Sequence, residues 1–181
     1  NGVSVAFVAI TLAKQIFADL SQTRVLLIGA GETIELAGRH LQAQQVSHMT
    51  VANRTLARAQ TLASEWQADV ITLDEIPTVL PSVDMVVTST ASPLPLLGKG
   101  LMERVLKQRR HKPMLLIDLA VPRDIDPEVQ KLMYIRFYDI DYFKVDGLSE
   151  KMKAGIREAE SILKEQMEEF CNWYRCLDVI P

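Results

Sequence analysis

Cysteine is scarce in this chain of 181 residues: only Cys171 and Cys176 occur, five apart, with no other metal-ligand side chains nearby. That argues against a disulfide framework and favours a reducing, cytoplasmic setting. Long apolar runs are lacking too, since none approaches the ~20 residues of a membrane span. The opening segment NGVSVAFVAI has no basic stretch, so a secretory leader is not indicated. An excess of positive charge is also missing. The formal net charge of −3 gives no general reason to expect a surface that grips phosphate backbones. The chain has no initiator methionine and stops at Pro181 after a helical pattern, which reads as a piece excised from a longer protein.

What is present is ample apolar material, 48% of residues, enough for the core of one domain with an appendage. Val25 to Ile28 form a short apolar run that breaks into Gly29-Ala30-Gly31, and a helical pattern opens at once. Such a run reads as a buried parallel strand ending in a tight turn. Further strands are expected at Met49–Ala52, Val70–Leu73, Met85–Thr88, Met114–Ile117 and Tyr134–Tyr138. Between them, helices are expected at Glu32–Gln45, with Leu36, Ala37, His40 and Leu41 inward, at Leu56–Trp66, with Leu56 inward, and at Leu101–Gln108. Asp74 can cap a short helix confined by Pro77 and Pro81. A leading helix over Val3–Leu20 carries one apolar face. Strands alternating with helices imply parallel pairing and a doubly wound α/β sheet.

From Leu148 the pattern changes. Met152, Ile156, Ala159, Leu163, Met167, Phe170 and Trp173 or Tyr174 form one apolar stripe along an amphipathic helix of ~28 residues, long for a globular element. Its aromatic end suits a connector to another domain or subunit better than a helix folded back on this one.

The turn G-A-G-E-T-I supplies two of the three glycines of a dinucleotide fingerprint, with Ile34 in the third place. A glycine turn at a helix start delivers N–H groups and the positive end of the helix dipole to a phosphate. An NAD site normally places a carboxylate at the end of the second strand, on the ribose 2′-hydroxyl. Here Asn53-Arg54-Thr55 stands 24 residues after Gly29, with Arg58 one turn further. Arg54 can make charge-assisted bonds to a 2′-phosphate that a carboxylate would repel, so NADP is favoured over NAD. Thr55 also suits a plain N-cap, and the arginines also suit ordinary surface positions. Ser89-Thr90-Ala91, where the fourth strand leaves the sheet, suits either ribose or nicotinamide contact or simple turn chemistry.

DLAVPRDID, from Asp118 to Asp126, ends the fifth strand and could face a nicotinamide; Arg123 could hold a substrate or pair with Asp124 or Asp126. The basic run KQRRHK, Lys107 to Lys112, closes a helix, where positive charge meets the dipole favourably. His40 reads as a core residue, and His48 and His111 have no nucleophile near them in sequence. Neither cysteine is a candidate nucleophile, and no metal site is expected. The residues describe a cofactor platform with no evident acid, base or nucleophile.

Four stretches, LLIGAGETIELAGRHL, VANRTLARAQTLA, VVTSTASPLPLLGKG and LLIDLAVPRDIDPEV, occur in the order found in the glutamyl-tRNA reductase family, and the resemblance runs over essentially the whole chain. It implies a leading helix over 1–20, a mostly parallel, Rossmann-type NADP-binding domain over 21–147, and the start of a spinal, dimer-forming helix over 148–181. It also implies NADPH as cofactor, with Gly29, Ala30, Gly31, Glu32, Thr33 and Ile34 on the family's NADP turn. The family reduces the glutamyl group of glutamyl-tRNA to glutamate-1-semialdehyde, for tetrapyrrole synthesis. It does so through a thioester on a cysteine of an N-terminal domain that this chain does not contain, so no catalytic residue carries over and the isolated chain is expected to be inactive. A homodimer and a channelling partner, glutamate-1-semialdehyde aminomutase, are further implications. Two other readings share these motifs: a shikimate-dehydrogenase-like NADP oxidoreductase domain, and a nucleotide-sensing regulatory module.

Overall fold

A computed structural model of the chain describes residues 4–143. The expected helix over 148–181, both cysteines and Val3 lie outside the described residues. Six strands form one sheet: β1 Arg24–Ile28, β2 His48–Ala52, β3 Asp69–Ile71, β4 Met85–Thr88, β5 Met114–Asp118 and β6 Ile135–Asp139. Their order is β3-β2-β1-β4-β5-β6, and every pairing is parallel. The chain therefore runs outward from β1 to one edge, returns, and builds the other half from β4. This reversal between β1 and β4 opens a crevice at the strands' C-terminal ends.

The strands are apolar on both sides because both faces of the sheet are covered. Val25 and Leu27 of β1 point to one face, with Val51, Val87, Leu115 and Ile117. There they meet α1 Val5–Ile16, α2 Glu32–Ala43, α3 Leu56–Trp66 and the short α6 Ile140–Phe143. Leu26 and Ile28 point to the other face, with Val86 and Leu116, against the short α4 Ile76–Val79 and α5 Lys99–Gln108. At roughly 25 cal/mol per Å² of apolar surface buried, these two layers dominate the favourable side of folding.

Local differences from expectation have identifiable causes. The third strand stops at Ile71, because Thr72 starts a capping box: its side chain takes the Glu75 N–H while the Glu75 carboxylate takes the Thr72 N–H. Thr72 thus caps the turn Leu73–Glu75 that leads into the short helix Ile76–Val79, whose own N-cap position is Glu75 and not Asp74. The leading helix ends at Ile16, and Asp19 then caps a separate turn over Leu20–Gln22 through the Ser21 N–H. Helix α5 begins at Lys99, two residues early, because Gly98 serves as its N-cap. Leu56, expected inward, is 42% exposed; the buried face of α3 starts at Ala59. His40 is half-buried, its ring edge-on to Phe7 of α1 at 5.3 Å between centroids.

Gly38 rather than Gly31 or Ile34 allows close helix approach. A Cβ there would lie 2.2 Å from the Trp66 ring, so α2 and α3 touch only because that position has no side chain.

Candidate functional site

Strand β1 ends in a turn locked to both neighbours. The Gly29 N–H donates to the Ala52 carbonyl at 2.8 Å, and the Ser89 N–H donates to the Ile28 carbonyl at 2.9 Å. Gly29 has φ of +120°, and a Cβ on it would stand 2.3 Å from the Ser89 carbonyl oxygen. Gly29 is required by both backbone shape and space. Gly31 is different: it is the N-cap of α2, and a Cβ there would meet nothing within 4 Å. No side chain caps α2, which leaves its first N–H groups to an outside acceptor.

Beside this turn lies a cleft of about 310 Å³. Its wall brings together Gly29, Ala30 and Gly31 from the turn, Asn53, Arg54, Thr55 and Arg58 from the end of β2 and the start of α3, and Ser89, Thr90 and Ala91 from the end of β4. Glu32, Thr33 and Ile34 are not in the wall. Ile34 is wholly buried beneath the turn, so its side chain packs rather than binds. Thr55 occupies the N-cap position of α3 without a side-chain capping bond, and Asn53 Nδ2 donates to the Thr55 carbonyl at 3.0 Å. Arg54 and Arg58 are exposed and take part in none of the described ion pairs. Unpaired guanidiniums beside an uncapped helix end are chemically suited to a phosphorylated ligand.

Leu73, Ser92 and Leu96 also line the cleft, beyond the residues that the sequence motifs mark. Leu96 follows a proline-rich loop and gives no local signal, because the Asp124 carbonyl, 28 positions on, holds its N–H at 2.6 Å. The Thr90 hydroxyl donates to the Asp124 carboxylate and accepts the Ser92 N–H at 3.1 Å, so it is already engaged within the protein. The Ser89 hydroxyl makes no described bond of this kind.

The DLAVPRDID stretch folds differently from the ion pairing expected for Arg123. Arg123 pairs with Asp139 and Asp141, which tie the loop to the end of β6 and the start of α6, and not with Asp124 or Asp126. Asp118 is wholly buried and accepts N–H groups from Ala120 at 3.0 Å, Asp124 at 2.9 Å and Ile125 at 2.8 Å. Burial pushes its carboxyl up to about 6, against the pull of those three donors and aided by the nearby Asp124 charge. Below the unfolded value of 3.8 both states are protonated, and above about 6 the folded state carries a costly buried charge. Asp118 therefore makes the fold less stable as pH rises from 4 to 7. Relative to Asp118→Asn, the wild type should gain up to about 3 kcal/mol on acidification through that window. Urea unfolding of both proteins at a series of pH values measures it; a pH-independent difference would rule out the linkage.

Among the described residues, no group of three or more His, Cys, Asp or Glu side chains could hold a metal. No described helix is long and apolar enough to cross a membrane.

A parallel sheet of this order with a glycine turn at its switch point is a Rossmann-type dinucleotide-binding fold. The family model described as shikimate / quinate 5-dehydrogenase matches residues 11–145, and the chain belongs to that family. The chain belongs as well to the glutamyl-tRNA reductase family: it is 53% identical over 182 residues to that enzyme of Shewanella oneidensis, covering 98% of this chain and 43% of that protein. It is 51% identical over 184 residues to the glutamyl-tRNA reductase of Psychromonas ingrahamii, covering 99% of this chain and 43% of that protein. The chain thus spans less than half the length of these curated relatives. The solved glutamyl-tRNA reductase of Methanopyrus kandleri superposes with a TM-score of 0.75 at 29% identity, covering 94% of this chain and 44% of that one. The nucleotide-binding domain of the Thermoplasma volcanium enzyme, at 20% identity and a TM-score of 0.62, covers 87% of this chain and 99% of that one, and shares the fold.

Proposed function

We propose that this chain is the NADPH-binding domain of a glutamyl-tRNA reductase. The observation that carries the cofactor assignment is the unpaired Arg54 and Arg58 beside the Gly29–Gly31 turn, in one cleft at the switch point. The turn and the uncapped start of α2 would hold the pyrophosphate, with Glu32, Thr33 and Ile34 contributing backbone alone. Arg54 and Arg58, with Asn53 and Thr55, would hold the 2′-phosphate. Ser89, Thr90 and Ala91 would border the nicotinamide half. Bound there, NADPH supplies a hydride; the protein's own part is to fix the cofactor's position.

In the whole enzyme, the acceptor is a glutamyl thioester on a cysteine outside this chain, drawn from glutamyl-tRNA. On this reading α1 leads into a cofactor domain over 21–147, and the expected dimer-forming helix over 148–181 lies outside the described residues. A homodimer, hand-over of glutamate-1-semialdehyde to its aminomutase, and a cytoplasmic location complete the reading. The purified chain should not reduce glutamyl-tRNA by itself, and turnover by it would overturn this division of labour.

Arg54→Ala tests the cofactor assignment. Loss of a charge-assisted bond should weaken NADPH by about 1.5–3 kcal/mol, some ten- to hundredfold, and leave NADH affinity nearly unchanged. Fluorescence titration with both nucleotides reads this directly. An equal loss for both would show that Arg54 does not meet a 2′-phosphate.

A further inference from the structure

We infer that Asp124 is a positioning residue for the nicotinamide-side wall of the cleft, acting through Thr90; the inference rests on the dinucleotide reading above. Asp124 is wholly buried, and none of the described ion pairs includes it. A buried carboxylate is costly unless hydrogen bonds satisfy it. All three of its described donors come from one short segment: the hydroxyls of Thr88 and Thr90, and the Thr90 N–H at 2.9 Å. Because the Thr90 hydroxyl also accepts the Ser92 N–H, it fixes backbone and has little left to offer a ligand.

The main chain of Asp124 holds a second part of the same wall. Its carbonyl accepts the N–H groups of Leu96 at 2.6 Å and Leu97 at 3.1 Å. Asp118 in turn holds the Asp124 N–H at 2.9 Å. The segment clamped in this way runs beside the glycine turn, its Ser89 carbonyl filling the space that a Gly29 side chain would need. None of these bonds reaches Asn53, Arg54 or Thr55.

Strands β2 and β4 flank β1 on opposite sides, so a dinucleotide crossing the glycine turn places its two halves over different strands. Arg54 and Arg58 mark the β2 side as that of the 2′-phosphorylated adenosine. The β4 side, which Asp124 organises, receives the nicotinamide half. Disturbing Asp124 should therefore weaken only ligands that possess that half.

Calorimetric titration with NADPH and with adenosine 2′,5′-bisphosphate, which lacks the nicotinamide half, tests this. Asp124→Asn leaves one acceptor oxygen for three donors, and Thr90→Val removes the hydroxyl while keeping the N–H bond. Both should weaken NADPH by about tenfold or more and leave the bisphosphate within about twofold. Thr90→Ser, which keeps both hydroxyl bonds, should restore NADPH affinity. Parallel weakening of both probes would mean a general structural role, and unchanged NADPH affinity would remove any role; either overturns the inference. If Asp124→Asn does not fold, Thr90→Val carries the test. A wild-type chain that binds neither probe would instead refute the dinucleotide reading itself.

Discussion

Arg109→Ala is expected to destabilise the fold by about 3–5 kcal/mol, the cost of breaking a buried, hydrogen-bonded ion pair from one side. Arg109 is 8% exposed and sits where the strands begin, at the opposite end of the sheet from the cleft. Its guanidinium donates to the Lys112 carbonyl at 3.0 Å, the Pro81 carbonyl at 3.0 Å, the Pro113 carbonyl at 2.9 Å and Asp84 at 3.2 Å, and also to the Val83 carbonyl. One side chain thus joins the residues leading into β4 and β5 with the end of α5. Asp84 in turn holds the first N–H of β1, that of Arg24, at 3.1 Å. Without the guanidinium these acceptors stay buried with fewer donors, although Lys112 still reaches Asp84 at 3.3 Å. The exposed neighbours make the contrast: Lys107→Ala and Arg110→Ala should change stability by no more than about 0.5 kcal/mol. Urea unfolding of the three variants gives the comparison, and a small loss for Arg109→Ala would show that the network is not a major source of stability.

The second large effect separates the two glycines of the turn. Gly29→Ala puts a side chain at a left-handed φ and 2.3 Å from the Ser89 carbonyl, so either β4 or the turn must move. A cost of about 3 kcal/mol and loss of NADPH binding are expected together. Gly31→Ala adds a methyl group to open space, so stability should change by less than about 1 kcal/mol. Its NADPH affinity should nevertheless fall about tenfold or more, because in the proposed binding mode the pyrophosphate approaches the backbone through that space. Thermal melts and titration on the same samples distinguish the two. Full NADPH affinity in Gly31→Ala would mean that no ligand comes close to the Gly31 backbone.

Much of this was legible in the sequence because the signals are local. The run Val25 to Ile28 followed by Gly29 states a buried strand and a turn within a few residues, and the alternation of such runs with helical patterns states a parallel sheet. The two faces of β1 follow from a period of 2. What stayed hidden depends on partners far along the chain. KQRRHK reads as a solvated helix end, yet Arg109 finds its acceptors 25 to 28 positions back, at Asp84, Val83 and Pro81. DLAVPRDID reads as a loop, yet Asp124 reaches back to Thr88 and Thr90, and Arg123 reaches forward to Asp139 and Asp141. No local period encodes those meetings. Ile34 shows the converse limit: the fingerprint suggested its place on the turn, but only the packing shows that its side chain faces the core.

The most direct test of the central claim is titration of the wild-type chain with NADPH and with NADH under identical salt conditions. Unpaired Arg54 and Arg58 predict NADPH binding at least about tenfold tighter, a gap that narrows as ionic strength rises. Equal affinity for the two nucleotides, or tighter binding of NADH, would contradict it.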